Sequence, residues 1–458
     1  MLGLFLVFLF TVFYPFLCIG VLVIVILASL GTEIGIRRAY IRLLLRIFDE
    51  TARMLKRHEE RKRKESLTYS PSEEQENALS SPPLDLRIIK RDASDRIQAK
   101  LKSGTFDARA DAVRTVVADN LDFIKAGIES IIEDEVTSRF VAEDLQAWNL
   151  LSRTGAAFMH INWRLDLIWF LGLFVRYFIL FPGRVMLLWI GLLFMLVGTA
   201  FVGLFKDGPF KEWLNWYVST VSNRVMSHSF SAVITCHNPE NRAQNGGICV
   251  ANHTSPIDVI ILSCDCCFSM IGQRQGGVLG MTQRAQSRAG DHIWFERSEA
   301  KDRNSVLRRI KDHVEDGKKC PILIFPEGTC INNTSVMMFK KGSFEVGTTI
   351  YPVAIKYDSR FGDPFWNSSE QGFFEYMLRM MTSWAIVADV WYLPPVNQKP
   401  GEDAIAFANR VKKMIAEAGG LVDLEWDGQL KRYPVSAKMI ASRQKQYSDR
   451  VKTVGGVL

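Results

Sequence analysis

Residues 2–30 carry no charged side chain, and residues 165–205 carry only Asp166, Arg176 and Arg184. These two apolar stretches constrain the chain more than any other feature. At ~1.5 Å per residue, the first crosses a hydrocarbon core roughly 30 Å thick as a helix. A cleaved signal peptide fits it poorly, because a basic n-region is missing and the run is too long. Residues 1–57 therefore read as a transmembrane helix followed by a basic amphipathic helix, with Ile36, Tyr40, Leu43, Leu44, Ile47 and Met54 at helical spacing. Arg37, Arg38, Arg42 and Arg46 lead a basic flank that the positive-inside rule puts in the cytosol. In the second stretch, Pro182-Gly183-Arg184 separates Leu165–Phe181 from Val185–Phe205. Pro and Gly between apolar runs predict a membrane hairpin over 165–205, either two spans or a re-entrant interfacial pair. A hairpin returns the chain to the side it left, so everything after residue 206 is expected to face the cytosol as well.

Between the two stretches, residues 58–102 turn polar, with Ser-Pro at 70–71 and Ser-Ser-Pro-Pro at 80–83, and read as a disordered linker. Residues 103–164 regain helical periodicity, through Val113, Val116, Val117, Leu121, Ile124, Ile128 and Ile131. From 206 to 400 strand-like and helical patterns alternate, as in an α/β domain, and 401–458 reads as a C-terminal helical extension. The expected strands are Phe230–His237, Gly247–Ala251, His292–Arg297, Pro321–Phe325, Tyr351–Lys356 and Trp384–Leu393. The expected helices include Ser255–Cys264, Lys301–Val314 and Glu402–Ala418, with Gly317 and Gly419 where C-caps belong. Lys plus Arg exceed Asp plus Glu only by 56 to 49, and the basic run lacks interleaved aromatics, so nucleic acid is not an expected partner. Cys264-Asp265-Cys266-Cys267 has no second Cys/His pair at a finger-like spacing, so no metal site is expected.

The chemistry sits where strands end. Ile248, Val250 and Ala251 form a buried strand, Ser255-Pro256 fits the start of a helix, and His253 falls in the turn between them. Asp258, in the first helical turn, can reach back to one imidazole nitrogen and leave the other as a general base. No serine or cysteine is expected as a nucleophile, Ser255 being better explained as an N-cap. A second apolar strand ends in Phe325-Pro326-Glu327-Gly328-Thr329, where Pro326 stops the strand and Gly328 permits a tight turn. Arg297 closes another strand and suits bidentate binding of a phosphate. Lys340 and Lys341 add cations for a phosphate or for coenzyme A. The Gly328 and Gly342 turns are candidates for the donors that a tetrahedral oxyanion needs.

These blocks, in this order, resemble the glycerophospholipid acyltransferase family: Asn-His-x4-Asp, a strand ending in Arg, Phe-Pro-Glu-Gly-Thr, and a Pro-containing strand at Tyr351-Pro352. The likeness covers about residues 230–400. The fuller phrases Asn245–Asp258 and Phe325–Ser335, with Trp148–Thr154 upstream, resemble its endoplasmic-reticulum-type glycerol-3-phosphate acyltransferases. That resemblance implies an α/β acyltransferase domain, a mixed sheet flanked by helices, carried with the N-terminal transmembrane helix and the membrane hairpin. It implies His253 and Asp258 as the catalytic dyad, Arg297 on the glycerol phosphate, and Glu327 and Gly328, with Thr329 beside them, on the acceptor. The reaction implied is transfer of a fatty acyl group from acyl-CoA, a co-substrate rather than a resident cofactor, to the sn-1 hydroxyl of glycerol-3-phosphate. The lipid bilayer is the other expected partner. The expected location is the endoplasmic-reticulum membrane, with the catalytic domain facing the cytosol and lipid droplets a further candidate. The alternatives are a lysophosphatidic acid or other lysophospholipid acyltransferase, a thioesterase that would leave Arg297, Lys340 and Lys341 without purpose, and a non-catalytic membrane scaffold. Asn252, Asn332, Asn333 and Asn367 begin glycosylation-type triplets, of which none is expected to be used.

Overall fold

The computed structural model describes residues 14–32, 35–68, 136, 138–143, 149–151, 163–295 and 303–431. The chain forms two compact units, Met1–Phe48 with Arg139–Leu458, and Asp49–Ser138. In the larger unit a seven-stranded sheet has the order β1-β8-β7-β2-β5-β3-β4. Its strands are β1 (Val233–His237), β2 (Ile248–Ala251), β3 (Ser269–Gln273), β4 (Ile293–Phe295), β5 (Ile322–Ile324), β7 (Ile350–Tyr357) and β8 (Val387–Tyr392). Every neighbouring pair is parallel except β7 with β8. A two-stranded parallel sheet joins β6 (Ser335–Val336) to β9 (Val422–Asp423).

Helices cover both faces, so the central strands are apolar on both sides and the period of two sorts their residues between two cores. Cys249 and Ala251 of β2 pack with Val353, Ile355 and Tyr357 of β7 and with Ile257 and Ile261. Ile248 and Val250 face the other way, toward Ile310, Phe407, Val411 and Ile415. The helices that supply these residues are α5 (Ile257–Ser263), α7 (Arg303–Glu315) and α9 (Ala404–Gly419). The mixed sheet flanked by helices is thus as expected. The C-terminal cap of α9 falls one residue later than expected, at Gly420 in the left-handed region. β3, α4 (Pro209–His228), α6 (Gly277–Ala289) and α8 (Phe373–Thr382) are not among the expected elements. The β3 segment follows a cysteine-rich tract that obscured its alternation.

The hairpin expected over 165–205 is not what forms. Residues Trp163–Val202 make one continuous helix, α3, with a π-helical stretch at Val175–Leu180. Pro182 sits at the first turn after that stretch, where the Phe181 N–H already reaches back to the Arg176 carbonyl. A wide turn there spares the clash and the lost bond that proline brings to an α-helix interior. One continuous helix does not return the chain to the side it left, so the expected cytosolic placement of everything after residue 206 does not follow from it. Among the described residues α3 alone is long and apolar enough to cross a membrane. It packs on α4 (Pro209–His228), where a side chain at Gly191 or Gly198 would collide with Met226 or Val218. Elsewhere α3 exposes Leu167, Phe170, Leu171, Phe178, Leu193, Val197 and Phe201.

At the N-terminus α1 spans Tyr14–Leu30, and the rest of the expected 2–30 span lies outside the described residues. The basic amphipathic helix is present as α2, but it runs Ile36–Thr68 and so takes in the start of the segment read as linker. Polarity was mistaken for disorder there: Glu, Lys and Arg are good helix formers. The remaining linker, most of 103–164 and residues 432–458 lie outside the described residues.

Candidate active site

β2 and β5 end side by side, with Val250 opposite Ile324, so the turns that follow them emerge together at the carboxyl edge of the sheet. The first carries His253 and the second runs from Pro326 to Cys330. His253 Nδ1 lies 2.9 Å from Asp258 Oδ2. The same oxygen accepts the N–H groups of Thr254 at 2.8 Å and Ser255 at 2.9 Å, which closes the turn around the carboxylate. Ser255 Oγ accepts the Ile257 N–H at 3.1 Å, at the first residue of α5. Asp258 is fully buried, and the His253 side chain keeps 18 % of its surface. Phe325 stacks on the imidazole with ring centroids 4.3 Å apart. A carboxylate at Nδ1 fixes the proton there and leaves the Nε2 lone pair outward. Burial disfavours the imidazolium, but Cys330 and Asp258 outweigh it and hold the His253 pKa well above the ordinary range.

Glu327 is held by main chain. It is 1 % exposed, with Oε1 accepting the His253 N–H at 2.8 Å and Oε2 the Met337 N–H at 2.8 Å. Each oxygen accepts a main-chain N–H, so the carboxylate tethers the His253 turn to the chain at Met337. Burial raises its pKa to about 7, against the pull of those two N–H donors. Glu327→Gln leaves one buried N–H facing an amide donor. That mismatch is expected to cost about 1–3 kcal/mol, lowering the thermal midpoint and kcat while KM for the acceptor stays near wild type. A raised acceptor KM with normal kcat would return Glu327 to the substrate.

Gly328 has φ +69°, a conformation that suits glycine, and its own N–H bonds the Phe325 carbonyl at 3.1 Å. It is therefore spent as an oxyanion donor. The next two N–H groups, of Thr329 and Cys330, bond no carbonyl among the described residues. The Thr329 hydroxyl is buried without a partner among them. The two lysines separate. A side chain at 328 would meet Lys340 Nζ at 2.8 Å, so that ammonium lies against the turn, whereas Lys341 is paired with Glu345 at 2.6 Å. Arg297 lies outside the described residues.

Three contributors were missed from sequence. Cys330 Sγ sits 3.5 Å from His253 Nε2, so a thiol does face the base, contrary to expectation. The Tyr357 hydroxyl donates to Asp258 Oδ1. Asn252 clasps β7 through Ile355, donating to its carbonyl at 2.9 Å and accepting its N–H at 2.8 Å. The period of two through Tyr351, Val353 and Ile355 carried a signal for Tyr357, since it puts that residue on the face where Asp258 lies. The side-chain amides of Asn252, Asn332, Asn333 and Asn367 all bond backbone carbonyls within the fold, which leaves the glycosylation-type triplets tied down.

The acyltransferase family matches residues 233–356. The chain is 49 % identical over 429 residues to glycerol-3-phosphate acyltransferase 4 of Mus musculus, covering 93 % of this chain and 91 % of that protein. It is 49 % identical over 431 residues to glycerol-3-phosphate acyltransferase 3 of Danio rerio, covering 93 % and 92 %. Among solved structures, the 1-acyl-sn-glycerophosphate acyltransferase PlsC of Thermotoga maritima is similar at TM-score 0.38 and 16 % identity, over 55 % of this chain and 95 % of that one.

Proposed function

The chain belongs to the glycerol-3-phosphate acyltransferase family, and on that footing we propose that His253 is the general base of its acyl transfer. The enzyme esterifies glycerol-3-phosphate with a fatty acyl group from acyl-CoA, forming lysophosphatidic acid and free coenzyme A. The observation that carries the role of His253 is its Nδ1 bond to buried Asp258, with Nε2 left toward the turn that follows β5. The sn-1 hydroxyl takes the place at Nε2 now held by the Cys330 thiol and gives up its proton there. Its oxygen attacks the thioester carbonyl directly, and the coenzyme A thiolate leaves and takes that proton from His253, which returns to its neutral form. The N–H groups of Thr329 and Cys330 are the donors best disposed for the oxyanion. Lys340 and Arg297 bind phosphate, and Glu327 positions His253 from behind. The exposed apolar face of α3 seats the protein in a bilayer, taken to be that of the endoplasmic reticulum, with the site on the side where acyl-CoA is dissolved.

Labelled acyl-CoA offered to the purified protein with glycerol-3-phosphate and with lysophosphatidic acid in parallel tests the acceptor. Lysophosphatidic acid is the expected product of the first reaction. Product only from the second would move the enzyme to the next acylation. The lysines give a finer test. Lys340→Ala is expected to raise KM for glycerol-3-phosphate about tenfold, the loss of one charge-assisted contact. Lys341→Ala, whose partner is Glu345, is expected to leave it near wild type. Equal effects in steady-state kinetics would withdraw the distinction.

A further inference from the structure

Among the described residues Asp258 accepts from four donors, and three of them belong to its own turn: His253 Nδ1 and the N–H groups of Thr254 and Ser255. The fourth comes from the sheet. β7 runs parallel to β2 with Ala251 opposite Val353, and it continues beyond the end of β2 to Tyr357. Tyr357 is 3 % exposed, and its hydroxyl donates to Asp258 Oδ1, the oxygen that the turn leaves unused. Burial first, and then the charge of Asp258, push the Tyr357 pKa well above the ordinary phenol value, so the hydroxyl stays a donor at any working pH.

We propose that Tyr357 is a positioning residue for the acyl transfer, holding Asp258 in line with His253 and drawing off part of the carboxylate's charge. The proposal rests on the reading of His253 as general base. A carboxylate with fewer donors pulls harder on the imidazolium beside it. Without the Tyr357 hydroxyl, His253 keeps its proton to higher pH and is a base in a smaller fraction of molecules. The other titratable groups at the site approach from different elements. Cys330 faces Nε2 from the turn after β5, and Glu327 accepts the His253 N–H. Tyr376 of α8 bonds Ser255 Oγ and the Pro364 carbonyl, not Asp258. Tyr376 is fully buried, and so supplies a matched control.

The test is kcat/KM against pH for the full-length wild type, Tyr357→Phe and Tyr376→Phe. In Tyr357→Phe the acid limb is expected to move up by about one pH unit, a loss approaching tenfold on the acid side that is recovered at alkaline pH. Tyr376→Phe is expected to leave the limb in place. A limb unmoved in Tyr357→Phe, whether the rate falls equally at every pH or not at all, would overturn the proposal. Where Tyr357→Phe fails to fold, 3-fluorotyrosine at the same position keeps the shape with a stronger donor. The limb should then move down, and an unmoved or raised limb would overturn the proposal in the same way. A wild type with no acid limb would remove His253 as base, and this proposal with it.

Discussion

His253→Ala is expected to lower kcat/KM for acyl transfer by about 10²–10⁴, the usual contribution of a positioned general base. The imidazole bonds the protein through Asp258 and stacks on Phe325, while the turn itself is held by main-chain contacts that alanine keeps. The variant should therefore fold, and the loss should fall on kcat. The pH dependence has a definite sign. Catalysis needs neutral imidazole, and the His253 pKa is raised above the ordinary value, so the wild-type rate climbs with pH through a pKa above 6.5. In His253→Ala that climb should vanish with the rate. Steady-state assays across pH with glycerol-3-phosphate in excess read both. A folded variant that retained most of the wild-type rate would exclude His253 as the base.

What the sequence disclosed follows from locality. The dyad spans five positions within one strand–turn–helix, so residue type and spacing were enough to place His253 against Asp258. The central strands were visible because both faces are buried and their residues are almost all apolar. Glu327 was legible as part of the motif that ends the β5 strand, yet its partners are main-chain N–H groups of a distant turn and of Met337, which no side-chain pattern announces. Lys340 and Lys341 look alike on paper. What separates them is Glu345, four residues on from Lys341, a pairing that helical spacing makes readable in retrospect. Pro182 misled because a proline in an apolar run argues for a break, whereas the π-helical stretch before it absorbs the missing N–H. That stretch has no signature in residue type.

The residues read as a hairpin corner turn out to fasten the apolar helix to the sheet domain. Arg184 is 2 % exposed on α3, and its guanidinium bonds the carbonyls of Met381 at 2.7 Å, Ser383 at 2.5 Å and Trp384 at 2.5 Å. Its Nε and Nη2 also reach Ser231 Oγ, at 3.1 and 2.9 Å. Arg176, two turns earlier, bonds the Thr382 carbonyl at 3.1 Å and lies over the Trp384 ring. The last residues of α8 and the two that follow thus offer a row of carbonyls that accept no backbone N–H among the described residues, and α3 answers with two arginines. A planar fork of donors suits such a row, where a lysine supplies one point of charge. Arg184→Ala strands several buried acceptors at once, with an expected cost of about 3–5 kcal/mol. That corresponds to a fall in thermal midpoint of roughly 6 °C or more, measured in one detergent for both proteins. Arg184→Lys should recover part of the loss, since an ammonium reaches some of the carbonyls but not all. The activity of Arg184→Ala below its new midpoint should stay near wild type, because Arg184 bonds neither His253 nor Asp258. An unchanged midpoint would mean that apolar packing along α4, through Gly191 and Gly198, is what holds the helix in place.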